Sequence, residues 1–139
     1  MSSAHSLDFT CTELDSHADT CCLGQNSLIL ANHGKFVSVA PFISDLGKID
    51  KVNIVTGAIA YDVPNSADTI ILVIHQALYF PKNFPNNLFC PNQMRINGLQ
   101  IYECPRHLDP KPHALSHTIH SPDSDLVIPL CLKGVISFF

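Results

Sequence analysis

A chain of 139 residues, 46% hydrophobic and 14% charged, has the size and apolar content of one folded domain rather than a disordered tail. Ten prolines and no tryptophan favour short strands and irregular connections over long helices. The formal net charge of −4, with no basic run, argues against a nucleic-acid binder working by phosphate neutralisation, and no apolar stretch approaches the roughly 20 residues of a membrane span.

In chain order, residues 1–6 lack a basic region followed by an apolar one, so no signal peptide is read there. Residues 1–8 are expected to be a flexible N-terminal extension and 9–139 one domain. A strand is predicted over 9–14, a second over 21–23, then a turn at Gly24-Gln25-Asn26. Residues 27–31 form a short apolar strand, broken at Asn32-His33-Gly34. Residues 36–42 alternate as a strand should, and Ser44-Asp45-Leu46-Gly47-Lys48 reads as a hairpin tip. The chain returns as a strand over 52–61, turns at 62–68, and enters its longest apolar strand over 69–79. The unbroken run Ile70-Ile71-Leu72-Val73-Ile74 predicts burial on both faces. A Pro/Asn loop over 81–87 precedes a short buried strand at 88–90. Residues 91–98 are the one convincing helix, with Pro91 in its first turn and Gly98 as its stop. Residues 99–102 are extended, 104–113 irregular, and 126–132 with 135–139 flank Lys133-Gly134 as a closing hairpin.

The chemistry concentrates in Leu14-Asp15-Ser16-His17-Ala18-Asp19-Thr20, directly after the first strand. Asp-Ser opens ordinary turns, because both side chains cap backbone amides. The whole run, however, resembles the Asp-Ser/Thr-Gly-Ala-Asp-Thr loop of retropepsin-type aspartic proteases. Those enzymes hydrolyse peptides with two facing carboxylates: one takes a proton from water while the other, protonated, polarises the carbonyl. Like charges about 3 Å apart cannot both ionise, so the pair holds one proton. The loop occurs once here, so the resemblance implies a homodimer in which Asp15 of each copy supplies half the dyad. Ser16 would brace the two loops, Ala18 would let substrate approach, and Asp19 would bind substrate backbone or a cation. Thr20 completes the loop.

The order of pieces is also similar. A hairpin over 37–56 stands where the family has its substrate-covering flap, placing Pro41, Phe42, Ile43, Ser44, Asp45, Leu46, Gly47 and Lys48 in the lid. The phrases Ala77-Leu78-Tyr79-Phe80-Pro81, Asn87-Leu88-Phe89-Cys90 and Gln93-Met94-Arg95-Ile96-Asn97-Gly98 resemble the protease segment of copia-type retrotransposon polyproteins. Helix residue Arg95 is expected to support the loop as a partner of Asp19. The resemblance implies an all-β, closed-barrel fold with one short helix, a two-fold homodimer, a polyprotein substrate and no cofactor, metal, nucleic acid or membrane. A cytoplasmic setting accords with six cysteines that follow no disulfide-scaffold rhythm.

The departure is His17, where the family has Gly. Gly positions often use backbone angles costly to other residues, although His tolerates positive φ better than most. Three outcomes are open: the imidazole turns away, sits by the carboxylates as a counter-charge, or blocks substrate. The first is the reading adopted. The alternatives to a peptidase are an inactive retropepsin-like dimerisation or peptide-binding module and a zinc domain. Zinc would use Cys104, His107, His113, His117 and His120, or the alternating set Asp15, His17 and Asp19. A Cys21/His33 hydrolase lacks an accompanying oxyanion-forming Gly turn.

Overall fold

The computed structural model describes residues 11–40, 49–82 and 84–139. The expected extension over 1–8 and the lid residues Pro41 to Lys48 lie outside them. Within the described residues the chain is mostly β, with one short α-helix. The elements are β1 (Thr12–Leu14), β2 (Cys21–Leu23), β3 (Leu28–Val39), β4 (Ile49–Asp62), β5 (Thr69–Tyr79), β6 (Asn87–Phe89), α1 (Pro91–Ile96), β7 (Gln100–Tyr102), β8 (Thr118–Ser121), β9 (Leu126–Pro129), β10 (Cys131–Lys133) and β11 (Ile136–Phe138). No helix is long and apolar enough to cross a membrane.

Eight strands make one sheet in the order β10-β11-β1-β6-β2-β5-β4-β3, and β7-β8-β9 make a second. The expected closed barrel is not formed by these residues: β10 and β3 each have a neighbour on one side only, so the large sheet stays open. Its inner face packs on the small sheet through a core that includes Leu14, Leu23, Val55, Ile59, Phe89, Ile101, Ile119 and Ile128. Phe139 stacks edge-on against both Tyr61 and Phe89, and its backbone exchanges two hydrogen bonds with Thr12 (2.9 and 3.0 Å). The end of the chain is thereby sewn to β1.

Two expectations change. Asn32-His33-Gly34 does not break the strand. β3 runs through it because β4 opposite is continuous, and the surplus residues become a bulge: the pairing jumps from Asn32↔Val55 to Phe36↔Asn53. Gly34 takes φ +69° there, and its N–H donates to Asn32 Oδ1 at 3.0 Å. β5 has the expected bounds but not the expected burial. Ile70, Leu72 and Ile74 face the core, whereas Ile71 (59% exposed) and Val73 (44%) face outward. Residues paired in register share a face, so Ile71 and Val73 lie beside Ala60 and Ala58.

α1 begins where the sequence says it should. Pro91 occupies the first turn, Cys90 caps it by accepting the Gln93 N–H on Sγ (3.4 Å), and Gly98 ends it at φ +91°.

Candidate active site

Asp15 sits at a crossover that the sheet holds from two sides. β1 and β2 flank the loop but do not pair with each other; β6 lies between them. β1 runs parallel to β6 (Leu14↔Phe89) and β2 antiparallel to it (Cys22↔Leu88). Residues 15–20 therefore span the end of β6. The Asp15 N–H donates to Phe89 O at 3.0 Å, which fixes the first residue of the loop to the last of β6. Buried Asn87 ties the bases together: its Oδ1 accepts the Gly24 N–H (2.9 Å), and its Nδ2 donates to Thr12 Oγ1 (3.4 Å).

Inside the loop, Asp15 O accepts the Ala18 N–H (3.2 Å) and Asp15 Oδ1 accepts the His17 N–H (2.9 Å). Asp15 closes its own turn in this way. Oδ2 has no partner among the described residues, and the residue is half-buried at the surface. His17 is exposed and does not have positive φ, so the strain expected at a glycine position is absent. Its ring makes no hydrogen bond among the described residues. Ser16 and Asp19 are exposed, and Ala18 packs against the core.

The exit of the loop is held by a residue that the sequence did not single out. Gln93 Oε1 accepts the Cys21 N–H (2.6 Å) and the Thr20 hydroxyl (3.2 Å), while its Nε2 donates to Gln76 O (3.0 Å). One amide joins the loop, α1 and β5. Arg95, expected to reach Asp19, does not. Its guanidinium donates to Glu103 (2.9 Å), Ile101 O (2.8 Å) and Asn92 Oδ1 (3.0 Å), and so braces α1 against β7. Arg95 and Gln93 are two positions apart and leave a helix in different directions, so only one of them faces the loop.

Asp19 and Thr20 open onto a groove of about 830 Å³ whose other walls are β3, β4 and β5. The outer half of the β3–β4 hairpin forms one wall. A second hollow of about 740 Å³ lies behind the loop, between β5 and the small sheet; Ile70, Leu72, Ile119 and Leu126 line it, and Asp15 is not among its walls.

Three thiols crowd the base of the loop. Burial pushes Cys21 up to about 11, reinforced by the Cys90 thiol and partly offset by the Cys90 N–H that donates to it. Burial also pushes Cys22 up to about 11, with Cys21, Asp15 and Cys90 adding to the rise. At pH 8 such a thiol holds about 100-fold less thiolate than an ordinary cysteine. Iodoacetamide at pH 8 is therefore expected to label exposed Cys104 and Cys131 first, with Cys21 and Cys22 lagging at least about ten-fold. Peptide mass spectrometry over a time course reads this directly, and equal rates would contradict it. A buried, protonated Cys21 is also no nucleophile for the Cys21/His33 alternative.

The histidines of the zinc alternative go separate ways. His113 lies edge-on to Tyr102, His117 Nε2 meets Ser137 Oγ (3.0 Å) and His120 Nδ1 meets Gln100 Oε1 (2.8 Å). Among the described residues no three metal-ligating side chains are grouped, at Asp15-His17-Asp19 or in the tail. No family model, characterised protein or solved structure matches this chain.

Proposed function

We propose that this protein is an aspartic endopeptidase of retropepsin type, with Asp15 from each of two copies forming its dyad and a retrotransposon-like polyprotein as its substrate. The observation that carries this reading is the way the Asp15 loop is held. A short loop hangs between two strands clamped on β6, its first amide is bonded to Phe89 O, its exit is bonded to Gln93, and one carboxylate oxygen is left open at the surface. An unanchored Asp-Ser turn needs none of this. A second copy related by a two-fold axis through the loops would set two such carboxylates face to face. A water between them loses its proton to one carboxylate while the protonated partner polarises the scissile carbonyl. The groove beside Asp19 gives an extended peptide a place to lie, with residues 41–48 as its lid. Six free thiols suit a reducing compartment such as the cytoplasm.

A second reading, a non-catalytic dimerisation or peptide-binding module, is favoured by one detail: Asp15 Oδ1 already accepts the His17 amide in the single chain. Cleavage of an unfolded protein substrate that pepstatin blocks, together with a solution mass of two chains, supports the peptidase. A dimer that cleaves nothing, but gains strong activity in His17→Gly, overturns it in favour of the module.

A further inference from the structure

The wall of the groove opposite the loop carries a polar cluster that peptide hydrolysis itself does not use. It arises from an irregularity in β5. Val55 pairs with Ala77 but Gly57 pairs with Ile74, so His75 and Gln76 together oppose the single residue Thr56. A bulge of this kind turns carbonyls out of the ladder. Gln76 O goes to Gln93. His75 O accepts the Thr56 hydroxyl at 2.8 Å and lies 3.1 Å from His33 Nε2, which is itself 2.8 Å from Thr56 Oγ1. A carbonyl only accepts, so the Thr56 proton is committed to it, and Thr56 Oγ1 must accept from His33. The proton of a neutral His33 ring therefore sits on Nε2. Nδ1 has no partner among the described residues and faces the groove as an open acceptor.

Lys35 lines the same groove two residues further on, and its ammonium has no partner among the described residues. The groove thus carries Lys35, His33 and His75 against a single carboxylate, Asp19, at the loop end. Overall the chain is acidic, with a net charge of −4 when histidine is counted neutral; on the same count the groove is balanced, Lys35 against Asp19, with His33 and His75 adding ring N–H donors. Apolar side chains, Val37, Val39, Ile54 and Leu78, line the rest.

We propose that this groove selects extended peptides bearing an acidic side chain flanked by apolar ones, with Lys35, His33 and His75 as the specificity-determining residues. The proposal rests on the peptidase reading only in laying a peptide in the groove. Its test is therefore a binding measurement, separate from cleavage. Rhodamine-labelled eight-residue peptides of Val, Ala and Leu, scanned at each position with Glu, Gln or Lys, are titrated into the Asp15→Asn protein and followed by fluorescence anisotropy. At one position Glu is expected to bind about five-fold tighter than Gln, with Lys weakest. Lys35→Glu should invert that order. His33→Gln, which keeps an N–H donor, should shrink the Glu advantage without inverting it. Equal affinities, no binding of any peptide, or a ranking unmoved in Lys35→Glu overturns the proposal. Absence of cleavage by the parent protein, with the Glu preference intact, would instead overturn the peptidase and leave the groove's selectivity standing.

Discussion

Asp15→Asn is expected to abolish peptide cleavage by about 10⁴-fold, because an amide neither takes a proton from water nor shares one with its mate. The sharper result comes from mixing. If each centre draws one aspartate from each of two copies, an inert subunit disables its partner as well. When parent and variant exchange freely in equal amounts, only about a quarter of the dimers hold two parental loops, so activity falls to about a quarter rather than a half. The fall should follow the square of the parental fraction across a titration. Asn is nearly isosteric with Asp and keeps the acceptor for the His17 N–H, so the loop itself should hold. Activity that declines in simple proportion to the parental fraction would mean that each chain works alone, and would sink the shared dyad.

Gln93→Ala is the second large effect. The Cys21 N–H is bonded to Gln93 Oε1 at 2.6 Å, and Cys21 is 3% exposed. Removing the acceptor leaves that amide buried without a partner and unties α1 from both the loop and Gln76. An orphaned buried donor costs about 1–3 kcal/mol. Chemical denaturation should show a loss of about 2–3 kcal/mol, with peptidase activity falling further than the unfolded fraction explains. Gln93→Glu is the informative control. It keeps an acceptor for Cys21 and Thr20 but sets a carboxylate oxygen against Gln76 O, so its loss should lie between those of the parent and Gln93→Ala. Arg95→Ala, by contrast, removes a half-exposed ion pair with Glu103 and should leave cleavage nearly unchanged. If Arg95→Ala proved the more damaging to activity, the assignment of loop support to Gln93 would be wrong.

The two residues show where the sequence speaks and where it is silent. Arg95 drew notice because the resemblance puts an arginine on this helix, where it was expected to pair with Asp19. Gln93, an unremarked amide, holds the loop because of the direction in which it leaves α1, and a string of letters does not carry that direction. The helix itself was legible, since Pro91 and Gly98 are confined by their backbone angles to a helix's start and stop. The bounds of β5 were legible from its β-branched run. Its exposed face was not, because apolar residues on both sides say only that both faces suit burial, not that the fold supplies two layers. Asn32-His33-Gly34 misled for a related reason: turn-forming residues absorb a bulge as readily as a break, and the partner strand decides which. The small sheet was half visible. Residues 99–102 and 126–129 read as extended, but β8 was missed, since Thr118-Ile119-His120-Ser121 is short and follows a Pro-rich tract. The loop's anchoring on β6 depends on pairings more than 60 positions apart, which no local pattern reports.

That separation has a consequence for when the centre comes into being. The two strands that flank the aspartate loop emerge from the ribosome well before the strand that must slide between them. A nascent chain halted before residue 87 owns every atom of the Asp15 loop but has neither β6 nor Gln93 to anchor it. The shaping of the loop is thus deferred until β6 and α1 have been made, a delay that, on the peptidase proposal, would hold back cleavage by a growing chain.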